Sequence, residues 1–176
     1  MLIIPARVTA TELAGAIDRS VEEVQAVLSA REQPYSPEEV LGADLAITVA
    51  RTLGVEVSVE PRDLALERLY EFDTRGELGS DVGGRAGEIV EGVISDLDDL
   101  DQMIESVAER WSVARMPVID RNVIRIALQE LRTDRATPTA VVVSEAVRLA
   151  QTYSTEKSAA FVNGVLATLA KTIRES

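Results

Sequence analysis

The chain has 176 residues, enough for one ordinary domain or two small ones, and carries 18 Lys and Arg against 30 Asp and Glu. Without Cys or His, it can have no disulfide, no thiolate or imidazole metal site, no Cys nucleophile and no Ser-His triad. At a net charge of −12, a broad basic surface is excluded, so any contact with nucleic acid must be local. The apolar start at residues 1–4 is too short for a signal-peptide core, and no run approaches the ~18 apolar residues of a membrane span. We therefore expect a cytoplasmic protein without membrane contact.

Residues 1–60 alternate short helical and strand-like patterns, which predict a small α+β module. Thr9 and Ser20 are each followed three residues later by Glu, a capping-box pattern. It predicts two consecutive helices, the first from Thr11, that resemble a helix-turn-helix. Ser36 followed by Pro37 is a third helix-start signal, since Pro suits the first helical position. Leu45, Val49 and Leu53 then mark a helix that Gly54 ends. Alternating residues at 55–59 predict a strand, and Pro61 is the predicted domain boundary.

Residues 61–176 have helical periodicity almost throughout, so we expect a mostly α protein. A long apolar stripe over residues 89–107 predicts a helix of about five turns after a Gly-rich connection at residues 81–84. Pro117, Thr137 and Ser154 mark the starts of three further helices. The β-branched run at residues 141–143 would also fit a strand, but the helical spacing of its apolar neighbours favours a helix.

No residue set in the chain is typical of catalysis or metal binding. The acidic cluster at residues 96–101 is a poor calcium loop because Leu100 occupies a ligand position and Asp101 the position that needs Gly. A solvated helix face is the favoured interpretation. Gly83-Gly84 lacks the Lys-Ser/Thr of a phosphate-binding loop, and pairs such as Asp120-Arg121 are more typical of surface ion pairs. We predict no enzyme, no catalytic residue, no metal, no cofactor and no small-molecule substrate.

Three segments of the second half resemble consecutive helices of the NusB family. They are RMPVIDRNVIRIALQEL at 115–131, PTAVVVSEAVRLA at 138–150 and STEKSAAFVNGVL at 154–166, in the family's order and spacing. ALERLYEFD at 65–73 is similar to the family's first helix. The resemblance covers about residues 61–173 and implies an all-helical domain over 61–176.

The resemblance also implies a non-enzymatic function in transcription antitermination, chiefly on ribosomal RNA operons. In that family, NusB pairs with the ribosomal protein NusE to bind the boxA segment of nascent RNA, and NusA, NusG and RNA polymerase complete the complex. Similar domains precede some ribosomal RNA cytosine methyltransferases, which have a catalytic Cys. Because this chain ends at Ser176 and has no Cys, we do not expect that activity.

The expected RNA-binding residues are Arg62, Tyr70, Lys157, Phe161 and Asn163. The family's arginine-rich start is reduced here to Arg62, beside Glu60 of the wrong sign, so phosphate attraction should be weaker. The segment between Phe72 and Glu88 is also shorter than usual, so the family's second helix is expected to be missing or reduced to a turn.

Each aromatic and polar candidate has a structural alternative. Tyr70 either stacks on a base or packs in the core, and Phe161 is expected to be partly exposed with both roles. Lys157 stands where the family often carries an acidic residue, and Asn163 either reads a base edge or caps a local turn. Arg121 and Arg125 are expected to be structural or ion-paired.

Residues 8–14, 20–28 and 45–57 resemble, in order, the small N-terminal module of bacterial translation initiation factor 2. Residues 1–60 hold four Arg against ten Asp and Glu, a net charge of −6, which favours a protein contact over nucleic acid. A stabilising cap on the first helix of the NusB-like domain is the alternative. For the whole chain, the alternative function is an adaptor that keeps the NusE contact but has lost most RNA binding.

Overall fold

The computed structural model describes residues 2–30, 35–78, 83–108 and 112–174. They form two compact units, Met1–Leu64 and Ala65–Ser176, whose boundary lies inside a helix. The predicted division after residue 60 stays a prediction. In the described part of the chain, no helix combines the length and apolar character that a bilayer crossing requires.

The first unit begins its helices α1 (Ala10–Ala16) and α2 (Val21–Ser29) at the two predicted capping boxes. The Thr9 hydroxyl accepts the Glu12 N–H at 3.1 Å, while the Glu12 carboxylate accepts the Thr9 N–H at 2.8 Å. Ser20 and Glu23 repeat this reciprocal pair at 3.2 and 2.8 Å. These side chains supply acceptors for N–H groups that the first helical turn leaves unpaired.

The helix predicted from Ser36-Pro37 is present, but its predicted start is wrong, since it begins only after Gly42. Ser36 instead begins a turn, closed by the Glu39 N–H donating to the Ser36 carbonyl at 3.1 Å. The turn leads into β3 (Val40–Leu41), which pairs antiparallel with β2 (Val8–Thr9). Pairing as a strand buries Leu41 completely, and α3 (Ala43–Thr52) then begins after Gly42.

A second strand pair closes the first unit. β4 (Val57–Val59) confirms the predicted strand and runs parallel to β1 (Leu2–Ile4), which the sequence analysis did not assign as a strand. Ile4 and the two valines of β4 point into the core. The other large, fully buried side chains of this unit are Leu13, Leu28 and Leu41.

The second unit is helical, apart from its loops and a 3-10 turn at Val113–Arg115. Its helices are α4 (Pro61–Arg75, begun in the first unit), α5 (Gly84–Ser95), α6 (Leu97–Val107), α7 (Val118–Thr133), α8 (Thr139–Tyr153) and α9 (Ser158–Arg174). α7 is buried over most of its length and packs against α5, α6, α8 and α9. The β-branched run in α8 is helical, as predicted, and Val142 is buried.

The stripe over residues 89–107 forms two helices rather than the one predicted. Asp96 separates α5 from α6 with a non-helical backbone (φ −104°, ψ 17°). Apolar periodicity continues through this break because both helices pack their apolar sides on the same core. The acidic cluster lies at the break and along α6, where Asp96 pairs with Arg132 and Asp101 with Arg125.

The connection between α4 and α5 is described only in part. α4 ends at Arg75, the positive φ of 76° at the following Gly76 suits glycine, and residues 76–78 and 83 are not helical. Residues 79–82, including part of the predicted Gly-rich connection, lie outside the described residues.

Polar contacts hold the end of α9 against the loop between α7 and α8. The Asp134 carboxylate accepts the N–H of Thr137 at 3.1 Å and its hydroxyl at 2.9 Å. Arg174 donates to the carbonyls of Asp134 and Thr137 at 2.8 and 3.3 Å. The Arg174 side chain therefore fixes the carboxyl end of α9 to the loop between α7 and α8.

Candidate nucleic-acid interface

α9 presents one apolar side to the core and one solvent-exposed side. Its core residues are Val162, Val165, Leu166 and Leu169, which recur at helical spacing. The exposed side begins near Lys157 and ends at Lys171, and between them it carries mainly Ala160, Gly164, Ala167 and Thr168. Small side chains leave the helix backbone accessible between two cations.

Lys157 and Phe161 lie together on this exposed side. The Phe161 N–H donates to the Lys157 carbonyl at 3.3 Å, so the two residues are one helical turn apart. Phe161 is half-buried against the core, whereas Lys157 is exposed. The expected partial exposure of Phe161 is therefore present: its ring is anchored on one side and open on the other.

The turn before α9 is fixed by Asp120, a buried carboxylate at the start of α7. Ser158 donates to Asp120 Oδ2 at 2.9 Å, and Ser154 donates to Oδ1. These bonds also place a negative charge at the amino end of α9, where the helix dipole favours it. The sequence predicts a helix start at Ser154 but not this contact, although Ser and Thr before an expected helix are a recognisable capping signal.

The interpretation of Asp120-Arg121 as a surface ion pair is wrong. Asp120 is buried with the two serines, and Arg121 instead donates to Asp73 of α4 at 2.8 Å. Adjacent residues on a helix point in different directions, about 100° apart, so the two side chains meet different neighbours.

A charged network joins α4 and α6 to α7. Arg125 donates to both carboxylate oxygens of Asp101 at 2.7 Å each and to Asp73 at 3.2 Å. Asn122 donates to the same Asp73 oxygen at 3.1 Å. Arg121 and Arg125 are thus ion-paired, as expected, and the network fixes the carboxyl end of the helix that carries Tyr70.

Tyr70 is exposed, with 38% of its surface accessible, while Leu66 and Leu69 of the same helix are buried. Tyr70 was expected either to pack in the core or to be available for stacking on a base, and the structure places it at the surface. An exposed phenol ring offers a face on which a base can stack.

Asn163 is exposed but is not on the same side as Phe161. Two positions along a helix correspond to about 200° of rotation, so the two side chains leave opposite edges of α9. The structure brings Lys157 to Phe161 and leaves Asn163 apart from them.

Arg62 lies in the first turn of α4, where Glu60 engages it. The Glu60 carboxylate accepts the backbone N–H groups of Arg62 and Asp63 at 2.8 and 3.2 Å. The Arg62 guanidinium lies 3.4 Å from the other Glu60 oxygen. Burial raises the pKa of Glu60, and a side-chain hydrogen bond with Asp63 raises it further. A phosphate at Arg62 would compete with this carboxylate.

The charge of α9 differs in sign from that of the chain. Residues 157–174 contain Lys157, Lys171 and Arg174 without any Asp or Glu, whereas the chain carries −12 overall. The two lysines are the only ones in the sequence. Lys157 is thus the cation beside Phe161, while Lys171 and Arg174 lie near the other end of α9, where Arg174 donates to the Asp134 and Thr137 carbonyls.

Comparison with known proteins identifies the second half of the chain. The model of the NusB family matches residues 57–171. The chain belongs to the NusB family. This family consists of non-enzymatic RNA-binding antitermination factors, in agreement with the prediction that the chain is not an enzyme.

Curated relatives are transcription antitermination proteins NusB. The protein from Leifsonia xyli subsp. xyli is 46% identical over 125 residues, covering 71% of this chain and 78% of that relative. The protein from Thermodesulfovibrio yellowstonii is 39% identical over 105 residues, covering 60% of this chain and 66% of the relative. This chain thus spans just under two thirds of the Thermodesulfovibrio protein.

Solved structures of NusB proteins share the fold. T. maritima NusB is 31% identical with a TM-score of 0.58, covering 63% of this chain and 88% of that one. A crystal structure of the antitermination factors NusB and NusE in complex with dsRNA matches at 28% identity and a TM-score of 0.55. That match covers 64% of this chain and 94% of the other.

Proposed function

We propose that this protein is a transcription antitermination factor that binds boxA-type nascent RNA together with NusE and promotes ribosomal RNA transcription. The observation that carries the proposal is the family match over residues 57–171. A NusB with a similar fold occurs in complex with NusE and dsRNA, which supports both partners. NusA, NusG and RNA polymerase complete the proposed complex, which acts in the cytoplasm.

The proposed RNA surface centres on Lys157 and Phe161. Phe161 offers a ring fixed by the core, so little side-chain entropy is lost when a base stacks on it. Lys157, one turn away, offers a cation for the adjoining phosphate. Tyr70 provides a second stacking ring, and Asn163 and Arg62 provide peripheral polar contacts.

An adaptor that binds NusE without RNA is the alternative function. It is favoured by the contact between Arg62 and Glu60, which occupies the one arginine left at the start of α4. The exposed Lys157 one turn from Phe161, in a segment (157–174) without Asp or Glu, favours RNA binding instead, because an exposed cation suits a phosphate ligand.

Residues 1–60 are proposed to form a separate module that resembles the N-terminal module of translation initiation factor 2, next to a NusB-like domain at 61–176. Its acidic composition supports a protein partner. The alternative, a stabilising cap for the first helix of the NusB-like domain, requires no partner.

The double variant Phe161→Ala with Lys157→Glu tests the RNA surface. In titrations of boxA RNA with the full chain and NusE, we expect binding to weaken by at least tenfold, since a stacking ring and a phosphate contact are both lost. The circular dichroism of the helices should be unchanged.

A matched control is Phe161→Ala with Lys171→Glu. It makes the same change of charge near the other end of α9, about 20 Å from Lys157. Equal losses in the two double variants would mean that the position of the cation is irrelevant. Unchanged RNA binding by the first variant would place the RNA surface elsewhere.

A further inference from the structure

Asp120 is a buried carboxylate that is paired with hydroxyl groups rather than with a cation. Its surface is 3% exposed, and it forms no ion pair in the part of the chain that the structure describes. Ser158 donates to its Oδ2 atom at 2.9 Å, and Ser154 donates to Oδ1. A buried charge without partners is costly, so the start of α9 cannot move away without leaving this carboxylate unsatisfied.

Ser158 also joins the carboxylate to the turn that precedes α9. Its hydroxyl has one proton, which goes to Asp120, so the Thr155 hydroxyl, 2.8 Å away, donates to Ser158 Oγ. The Thr155 N–H donates to the same oxygen at 3.3 Å. The Ser158 N–H donates back to the Thr155 carbonyl at 3.0 Å. Three bonds therefore connect Thr155 to Ser158.

The turn closed in this way carries Lys157. Glu156 and Lys157 lie between the two joined residues and are exposed, whereas Ser158 is only 2% exposed. The Lys157 carbonyl accepts the Phe161 N–H at 3.3 Å, so its backbone is also tied to the first turn of α9. Because this backbone is fixed on both sides, less conformational entropy is lost when the ammonium group of Lys157 contacts a phosphate.

We propose that Ser158 is a positioning residue for RNA binding. Its hydroxyl, anchored on Asp120, holds the turn in the conformation that presents Lys157 beside Phe161. Ser158 is too buried to contact RNA and acts through Lys157. This role rests on the proposed RNA surface, and it adds a residue outside that surface on which RNA affinity depends. The alternative is a cluster that stabilises the start of α9 and affects RNA binding through stability alone.

Ser158→Ala removes the hydroxyl and leaves the backbone bond of the turn in place. In titrations of boxA RNA with the full chain and NusE, we expect this variant to bind RNA at least fivefold more weakly and NusE normally. The slope of log affinity against log salt should become shallower by up to about 0.7, the value of one phosphate contact on a single strand. The control is Ser144→Ala in α8, which removes a hydroxyl bonded to the Val141 carbonyl and should change RNA affinity by less than twofold.

A double-mutant cycle with Lys157→Ala separates positioning from general stabilisation. If Ser158 acts through Lys157, Ser158→Ala should cost less than twofold in RNA affinity in the Lys157→Ala background. A cluster that only stabilises α9 would give the same loss in both backgrounds.

Asp120→Asn is the conservative variant. Its amide oxygen still accepts from Ser154 and its amide nitrogen donates to Ser158, whose own proton then goes to the Thr155 hydroxyl oxygen, so the turn stays joined. Its RNA affinity should remain within twofold of the wild type. Asp120→Ala removes the acceptor together with the buried charge. It should reproduce the loss seen with Ser158→Ala, and it replaces that variant if Ser158→Ala does not fold.

Hydrogen exchange of the chain with NusE, in the absence of RNA, tests the turn itself. The amides of Ser158 and Phe161 should exchange at least tenfold faster in Ser158→Ala, while those of Leu166 and Leu169 should change by less than twofold. A wild-type chain that binds boxA RNA no better than a scrambled RNA would contradict the proposed function. The exchange rates would still decide whether the Ser158 hydroxyl holds the turn.

Three results would overturn the proposal. They are unchanged RNA binding by a folded Ser158→Ala variant, equal losses in the wild-type and Lys157→Ala backgrounds, and unchanged exchange at Ser158 and Phe161.

Discussion

Arg62 shows how the neighbours of one side chain alter the role that its position suggests. By resemblance, it is the remainder of an arginine-rich start that would hold RNA phosphates. In the structure its guanidinium lies 3.4 Å from a carboxylate oxygen of Glu60, which also caps the first turn of α4. Sequence could predict the cation and the opposing sign of Glu60, but the contact depends on side-chain geometry.

Replacing Glu60 by Gln is expected to strengthen RNA binding. The amide still caps the helix but does not compete with phosphate for Arg62, so affinity for boxA RNA should rise severalfold. The dependence of log affinity on log salt should steepen by up to about 0.7, the value of one additional phosphate contact on a single strand. Titrations with NusE at two salt concentrations measure both effects.

The pH dependence follows from the raised pKa of Glu60. As pH falls through that pKa, wild-type Glu60 is protonated and releases Arg62, so the advantage of Glu60→Gln should shrink at low pH. Glu56→Gln, which removes the same charge from an exposed position, is the control. An equal gain in the control would assign the effect to net charge and would exclude Arg62 from the RNA surface.

At the scale of helices and strands, sequence signals predicted the structure correctly where bonds between residues close in sequence determine it. Capping boxes correctly predicted α1 and α2, because the two reciprocal bonds form within four residues. The start signal at Ser36-Pro37 failed because residues 40–41 pair with β2, and the helix begins only after Gly42. Likewise, the break at Asp96 was not visible in periodicity, since α5 and α6 pack on a common core.

Gly164 offers a test of the α9 surface. A Cβ added at this mid-helix position would meet nothing within 4 Å, so packing does not require glycine. Gly164→Ala should therefore stabilise the fold by about 0.5–1 kcal/mol through higher helix propensity. It should also weaken boxA RNA binding severalfold, because a methyl group obstructs close approach one turn from Phe161.

Thermal unfolding and RNA titration together measure these opposite effects. Gly15→Ala in α1 makes the same substitution where a Cβ also meets nothing, and it should raise stability without affecting RNA. A Gly164→Ala variant that gains stability and binds RNA normally would show that RNA does not approach this part of α9.

At the scale of the whole molecule, a strongly acidic chain places its two lysines near the two ends of one helix, Lys157 just before α9 and Lys171 in its last turns. The family resemblance predicted the helical fold of the second half, and the family match over residues 57–171 confirms it. It also pointed to Lys157 and Phe161, which the structure places one turn apart. Sequence could not predict that buried Asp120 fixes the start of α9, because that contact depends on how the helices pack. The separation of Asn163 from Phe161, in contrast, follows from their two-residue spacing once the segment is helical.

The central claim is that this chain, with NusE, recognises a specific RNA segment. The most direct measurement is a titration of the full chain and NusE with a boxA oligonucleotide and with a scrambled one of the same composition, at physiological salt. We predict that the boxA oligonucleotide binds at least tenfold more tightly than the scrambled one. Equal affinities for the two oligonucleotides, or no binding of either by a chain that still associates with NusE, would contradict the claim and favour the adaptor.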